Sequence, residues 1–330
     1  MTRVLVTGAT GFLGGAIARE LARQGVAVRG IGRNLRVGAD LESCGVSFQS
    51  CDLARERGRL RELVKECDAV VHAAALSAPW GPRAKFVAAN VDVTRHVLEA
   101  CASAKVGRLV HISSPSVLFA LQHQHKLTES TPWSSRAGNH YIATKREAEL
   151  RAIAAGAVVL RPRALFGPGD TTLLPRIIRV ARRGVFPLVG AEDPLMDLTW
   201  IGDAVEAVGL ALAAPDCCRG RTYHISSDDP LPRSEVLGTL LSACGLNVRY
   251  RHVPIGQALA VAGALEWTSH VLTLGRWEPP LTRYSAGVLA FTQTLDVTAA
   301  REELGYAPQT DVRAALEECG RAWRIAEGAA

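Results

Sequence analysis

In the first half of the chain, short apolar blocks alternate with stretches of helical spacing. Arg3–Thr7, Ala27–Gly32, Val46–Ser50, Ala69–Ala73, Arg108–Ser113 and Val158–Arg161 read as strands. Each is short and apolar enough to be buried on both faces of a parallel sheet. Between them, Gly11–Gln24, Arg57–Cys67, Lys85–Ala104 and His140–Ala155 carry the pattern of helices. This alternation predicts an α/β fold with a doubly wound parallel sheet. Thr222–Ser226 is a further candidate strand.

The pattern changes after Arg161-Pro162. Gly167-Pro168-Gly169-Asp170 is a turn cluster, and later helices are separated by irregular pieces such as Trp277-Glu278-Pro279-Pro280. Residues 1–170, with a return segment at 201–226, are expected to form the nucleotide-binding domain. Residues 171–200 and 227–330 are expected to form a smaller, mostly helical substrate lobe. The most apolar stretch, Ile255 to Leu274, is interrupted by Glu266 and His270, which argues against a membrane span. It reads as a buried helix, or as a lid or shallow membrane contact serving a greasy substrate.

Composition changes this picture little. Of the 330 residues, 48% are hydrophobic and 21% charged, which fits a globular enzyme with ample core. The formal charge is +6, but arginines are interleaved with acids, as in Arg55-Glu56-Arg57. That describes a basic surface rather than a nucleic-acid partner. The eight cysteines show no CxxC pairing, so no metal site is expected and a reducing compartment suits them. The chain opens on a strand without a basic lead or apolar signal core, which points to the cytoplasm.

Candidate chemistry begins at Thr7-Gly8-Ala9-Thr10-Gly11-Phe12-Leu13-Gly14, set between a strand and a helix. Gly8 suits a tight turn, Gly11 a close backbone approach to a pyrophosphate, and Gly14 close helix packing. Thr10, Phe12 and Leu13 complete the cradle at the positive end of the helix. This is the mark of a Rossmann-type dinucleotide site. At the end of the second strand, where an acid would grip ribose hydroxyls, stands Gly30-Ile31-Gly32-Arg33-Asn34. Gly32 removes the carboxylate and leaves space, and Arg33 can hold a 2′-phosphate. NADP(H) is therefore favoured over NAD(H). Asp52, followed by Leu53, is placed to accept from the adenine amino group or to cap the next helix. The small side chains of Ala73, Ala74 and Ala75 suit a backbone lying against the cofactor.

Tyr141 and Lys145 are four apart on a predicted helix and share a face. A free tyrosine, with a pKa of ~10, is a poor base at neutral pH. A neighbouring ammonium favours the phenolate, and Lys145 can also hold the nicotinamide ribose. Ser114, closing another apolar run beside Ser113, can bond the substrate oxygen. Together these residues predict hydride transfer between a ketone and a secondary alcohol, with Tyr141 as the acid/base.

In that order, the motifs resemble those of the extended short-chain dehydrogenases/reductases, over nearly the whole length. The resemblance rests on the glycine motif, His72-Ala73-Ala74-Ala75, Asn90, Ser113-Ser114-x-x-Val117, Tyr141-x-x-x-Lys145 and Arg161-Pro162-x-x-x-x-Gly167-Pro168-Gly169-Asp170. It implies that Ser114, three before Val117, is the catalytic hydroxyl, with Ser113 the fallback. It also implies backbone contacts near the nicotinamide at and after Pro162, and a homodimer. Ser114-Pro115-Ser116-Val117, Glu278-Pro279-Pro280-Leu281-Thr282-Arg283 and Leu304-Gly305-Tyr306-Ala307-Pro308 resemble the 3β-hydroxysteroid dehydrogenase-like branch, and within it the bacterial 2-alkyl-3-oxoalkanoate reductases. A β-keto acid or ketosteroid-like apolar substrate is what that likeness implies.

A nucleotide-sugar epimerase or dehydratase shares such a scaffold. An epimerase, however, usually has the second-strand acid missing here, and a dehydratase an Asp-Glu pair where this chain has Pro115-Ser116. A cofactor-sensing protein without catalysis is the other alternative, opposed by the presence of Ser114, Tyr141 and Lys145. Trp80, Trp133, Trp200, Trp267 and Trp277 are candidates for an apolar wall or for core, and Asp203 reads as structural.

Overall fold

Seven strands form one fully parallel sheet in the computed structural model, which describes residues 2–135 and 138–328. They are β1 (Arg3–Thr7), β2 (Ala27–Gly32), β3 (Ser47–Ser50), β4 (Ala69–His72), β5 (Arg108–Ile112), β6 (Val158–Pro162) and β7 (Thr222–Ile225). Their order across the sheet is β7-β6-β5-β4-β1-β2-β3. The chain winds outward from β1 to β3, then returns to lay β4 on the other side of β1. A crevice therefore opens at the carboxyl ends of β1 and β4, where such sheets bind ligands. Every expected strand is present, each shifted by no more than a residue at an end.

The alternation within β1 distributes the core. Val4 and Val6 face Leu13, Ile17 and Leu21 of the helix Phe12–Arg23, with Ala204, Ala207 and Val208 of the helix Ile201–Ala213. Leu5 faces the opposite layer, with Leu60, Val64, Val97 and Ala100. A strand buried on both sides needs apolar residues at successive positions, which is why these runs were readable.

One helix escaped the sequence reading. Leu35–Ser43 begins at Asn34, whose side chain accepts from the backbone N–H groups of Arg36 (3.1 Å) and Val37 (3.2 Å). Gly38 lies within it because the Phe48 ring occupies the space a Cβ would need, 2.2 Å from the nearest ring carbon. The expected helix Lys85–Ala104 is compound: a π-helical turn, Val87–Asp92, precedes the α-helix Val93–Ala104. Arg57–Val64 is shorter at its end than expected.

In the second half, the helices Leu174–Ala181, Arg233–Ala243 and Val312–Gly328 are packed with Phe186, Leu188 and Leu198 in a separate core. The apolar stretch forms the helix Ile255–Thr273, which buries only the stripe Ala258, Ala262, Glu266 and Ser269. Val261, Trp267, Val271 and Leu272 are exposed, so it is not a fully buried helix. Among the described residues no helix is long and apolar enough to cross a membrane.

Candidate active site

The turn after β1 is shaped by three close approaches. Gly8 adopts φ +69°, and a Cβ there would lie 2.8 Å from the backbone of Ala74. The N–H of Gly11 donates to the Gly8 carbonyl at 2.8 Å. At Gly14 a Cβ would fall 2.3 Å from that same carbonyl oxygen. The helix Phe12–Arg23 then starts with no side-chain cap and no acid in its first turn. Its first N–H groups and positive end are left for an anion, so these residues fit a dinucleotide.

The rim of this cradle departs from expectation at one point. The space above Gly32 is not open: a Cβ there would lie 2.5 Å from both the methyl and the hydroxyl of Thr10. Gly32 thus admits the Thr10 side chain. Arg33 and Arg36 are exposed just beyond it. Asp52 does not cap a helix; its carboxylate accepts from the Ala54 N–H at 3.0 Å, in a local turn. Leu53 is buried, with its carbonyl 3.2 Å from Nδ1 of His96. Ala74 donates its N–H to the Thr7 hydroxyl at 3.3 Å, which ties the ends of β1 and β4 together. Ala73 and Ala74 are half-buried and Ala75 is exposed, while Pro162 ends β6 in the interior.

The helix His140–Ala154 carries the pair expected to react. Asn139 caps it, accepting from the Ile142 N–H at 2.8 Å. This puts Tyr141 in the first turn, half-buried, and Lys145 one turn deeper, 2% exposed. The Lys145 ammonium donates to the Ile112 carbonyl at 2.7 Å. Burial pulls its pKa down to about 8, with Glu149 opposing. Asn90 fastens this helix to the crevice. Its amide donates to Thr144 Oγ1 (3.1 Å) and the Leu76 carbonyl (3.2 Å), and it accepts from the Leu76 N–H at 2.7 Å. The π-helical turn carrying Asn90 is of a kind frequent at functional sites.

The two serines after β5 differ. Ser113 donates its hydroxyl to Glu149, a carboxylate also held by Arg161 through Nε (3.0 Å) and Nη2 (2.5 Å). Ser114 is extended, and its Oγ accepts from the Ser116 hydroxyl (2.9 Å) and N–H (3.3 Å). The Ser114 hydroxyl proton is consequently left to be offered elsewhere.

Three neutral histidines lie behind this site. The Thr94 hydroxyl donates to the Asn90 carbonyl at 2.6 Å, so it accepts from His72 Nε2 at 3.0 Å. His72 Nδ1 then accepts from Thr7 at 2.8 Å. Burial, with the Lys145 charge added, takes the pKa of His72 to about 3. The His111 ring stands 5.2 Å from that of His72, and neither of its nitrogens has a hydrogen-bond partner among the described residues. Burial first, then Lys145 and His72, holds it well below the usual value. His224 meets Arg161 at 3.1 Å and the Leu127 carbonyl at 2.9 Å; burial and Arg161 bring it to about 3.

Tyr284, from the second half of the chain, was not anticipated. Its ring meets Phe119 edge-on at 4.9 Å. Burial first, then Tyr141, pushes its phenol up to about 12, with Arg163, Ser116 and Arg176 opposing. The spacing Thr282-x-x-Ser285 was the available signal, because it marks a helix start; nothing local says where that helix docks. The tryptophans do not form one wall. Trp80 donates to Ser269 at 3.0 Å, Trp133 lies under Arg146, Trp200 packs on Phe166, and Trp267 and Trp277 are exposed. Asp203 is structural, accepting from Ser227 (2.5 Å) and Thr310 (2.7 Å).

Residues 4–226 match the NAD dependent epimerase/dehydratase family, and the chain belongs to it. It is 33% identical to a 2-alkyl-3-oxoalkanoate reductase of Shewanella oneidensis, across 96% of this chain and 85% of that one. With the protein of that name from Stenotrophomonas maltophilia it shares 36% identity, across 95% and 97%. Among solved structures, DesIV, a dTDP-glucose 4,6-dehydratase from Streptomyces venezuelae, superposes with a TM-score of 0.75 at 24% identity, across 99% and 98%. That likeness is one of fold. The chain is thus an extended short-chain dehydrogenase/reductase, an NAD(P)-dependent oxidoreductase acting on ketones and alcohols.

Proposed function

We propose that the protein is an NADP(H)-preferring reductase of an apolar β-keto acid or ketosteroid-like ketone. The supporting observation is the placement of Tyr141 and Lys145 on one helix, beside a Ser114 hydroxyl that accepts two hydrogen bonds and has its proton to give.

A bound nicotinamide supplies the hydride that reduces the carbonyl carbon. Tyr141 gives its phenolic proton to the carbonyl oxygen as that bond becomes an alcohol. Ser114 donates a hydrogen bond to the same oxygen, holding it in reach of Tyr141 and favouring the charge that develops there. The Lys145 ammonium, one helical turn from Tyr141, would hold the nicotinamide ribose. Gly8, Thr10, Gly11, Phe12 and Leu13 hold the pyrophosphate, and Ala73 to Ala75 line the cofactor. Arg33 takes the 2′-phosphate, and Asp52 and Leu53 border the adenine. Pro162 borders the nicotinamide. The names of the relatives from Shewanella oneidensis and Stenotrophomonas maltophilia support a 3-oxo acid substrate, and a homodimer is the assembly the family resemblance favours.

The test is oxidation of NADPH and of NADH, followed by absorbance, against β-keto acids, ketosteroids and nucleotide sugars. Turnover of a β-keto acid or ketosteroid with NADPH is expected. Rearrangement of a nucleotide sugar without net cofactor oxidation would replace this reading with an epimerase.

A further inference from the structure

We infer that Arg163 is a specificity-determining residue that binds the carboxylate of the substrate, so that the ketone reduced is that of a 3-oxo acid. This rests on the reading of the crevice as a ketone-reducing site.

Arg163 stands directly after Pro162, where β6 reaches the crevice. Its N–H prolongs the ladder, donating to the Ile225 carbonyl at 3.0 Å. Thr199 Oγ1 also accepts from that N–H at 3.0 Å and donates to the Arg163 carbonyl at 2.5 Å, so the backbone is held firmly. β5 is the neighbour of β6, with Ile112 beside Leu160, and the Ser113 N–H donates to the Leu160 carbonyl at 2.7 Å. Ser114 and Arg163 therefore leave the ends of adjacent strands, which run about 5 Å apart. Two residues earlier, Arg161 turns to Glu149 on the helix of Tyr141. Alternation along the prolonged ladder gives Arg163 the same face, one pleat nearer the crevice mouth.

The guanidinium at this point is unpaired. Its Nε is buried without a hydrogen-bond partner, and no carboxylate of the described residues forms an ion pair with it. Arg161 and Arg233, also deep in the fold, donate instead to Glu149 and to three backbone carbonyls. Burial lowers the pKa of Arg163, with Tyr284 and Asp197 opposing. Asp197 commits Oδ2 to the Leu295 N–H at 2.8 Å, and burial raises it to about 6, so it balances the cation only in part. An arginine keeps its proton under such conditions, and a planar fork without an acceptor matches a carboxylate through two parallel hydrogen bonds.

The neighbouring walls suit the apolar remainder of the molecule. Phe119, Val288 and Phe291 line the same narrow cleft as Arg163. Phe119 also reaches the start of the reacting helix: a Cβ on Gly138, three residues before Tyr141, would lie 3.4 Å from its ring. Gly287 lets the helix Arg283–Ala290 lie against that ring, where a Cβ would be 2.7 Å from Cζ. The buried Glu266 fixes the start of this helix, accepting from the Arg283 N–H and Nε, both at 2.7 Å. In a 3-oxo acid the carboxylate is two bonds from the ketone carbon. One such molecule can offer its ketone oxygen to Ser114 and its carboxylate to Arg163.

The experiment follows reduction of a 3-oxo acid and of its methyl ester by wild type, Arg163→Gln and Arg163→Lys. The ester keeps the ketone and the apolar chain and removes only the charge. Wild type should favour the acid about thirtyfold in kcat/KM, the scale of a charge-assisted hydrogen bond. Arg163→Gln should erase that preference through the KM for the acid, leaving kcat and the ester constants within about threefold. Arg163→Lys should keep part of it, because the charge remains and the fork is lost. Equal losses on acid and ester in Arg163→Gln would make Arg163 structural and overturn the assignment. Should that variant fail to fold, an Arg163→Lys protein with the full wild-type preference would overturn it. A wild type indifferent to the charge, or active on ketosteroids alone, would do so as well while leaving ketone reduction standing. Reduction of no ketone at all would instead remove the reading on which the inference rests.

Discussion

Ser113 donates its hydroxyl to Glu149, and that bond divides the work of two adjacent serines. Ser113 is 5% exposed and serves a carboxylate that Arg161 also grips, whereas Ser114 Oγ accepts twice from Ser116 and keeps its own proton to give. Ser114→Ala is expected to lower kcat about a hundredfold, the usual scale for an oxygen-binding donor, with about 1 kcal/mol of stability lost because its Oγ caps the turn at Ser116. Ser113→Ala should instead cost about 1–3 kcal/mol of stability, by leaving a buried acceptor short of a donor, and keep kcat within a few-fold. Steady-state kinetics and urea unfolding separate the two, and the reverse pattern would exchange their roles.

Tyr141→Phe keeps the ring in the first turn of its helix and removes the proton it gives. Reduction should fall about a thousandfold or more, the range for a lost general acid, while the cofactor binds as in wild type by fluorescence titration. Wild-type turnover in this variant would show that another group protonates the oxygen.

Arg33 is exposed at the end of β2, past the contact between Thr10 and Gly32. Arg33→Ala should weaken NADPH about ten- to a hundredfold, as expected for a lost charge-assisted bond to phosphate, and NADH by no more than about twofold. Titrating both cofactors with both proteins checks this. Equal losses would remove Arg33 from the 2′-phosphate.

The parts legible in the sequence are those dictated by neighbours along the chain. Val4-Leu5-Val6 must be a strand covered on both faces, and the glycines after it can be read from the turn they permit. Tyr141 and Lys145 are read from helical spacing. What was missed depends on contacts distant in sequence. Gly38 looks like a helix breaker until the Phe48 ring is seen against it. Gly32 suggests open space until Thr10 fills it. The place of Tyr284 depends on Glu266 and Gly287, each meeting a different partner across the fold. The likeness of His72 and His111, side by side in the β4–β5 register, is likewise invisible before the strands pair.

His72, His111 and His224 are all held neutral by burial, and this makes the fold acid-sensitive. Their folded pKa values lie below the ordinary ~6.5, so the unfolded chain binds more protons as pH falls through that value. Their stabilising effect is complete above ~6.5 and is lost progressively below it. Because His111 has no hydrogen-bond partner among the described residues, His111→Leu should be at least as stable as wild type near neutrality. Between about pH 7 and about pH 5 it should lose roughly 2 kcal/mol less than wild type. Urea unfolding at the two pH values decides; equal losses would mean that His111 titrates normally.

Lys145 gives the opposite end of the pH range. Its folded pKa of about 8 lies below the 10.5 of a free lysine. Below about 8 the ammonium is charged in both states and its burial opposes folding in full. As pH rises from about 8 to about 10.5, the folded protein releases a proton that the unfolded chain keeps, so this cost shrinks. Wild type should accordingly gain roughly 2 kcal/mol relative to Lys145→Met between about pH 7 and about pH 9.5. The same proton loss removes the charge proposed to hold the nicotinamide ribose, so the wild-type kcat/KM for the cofactor, which reports the free enzyme, should fall above about 8. Parallel stability profiles of the two proteins would place the Lys145 titration outside this window.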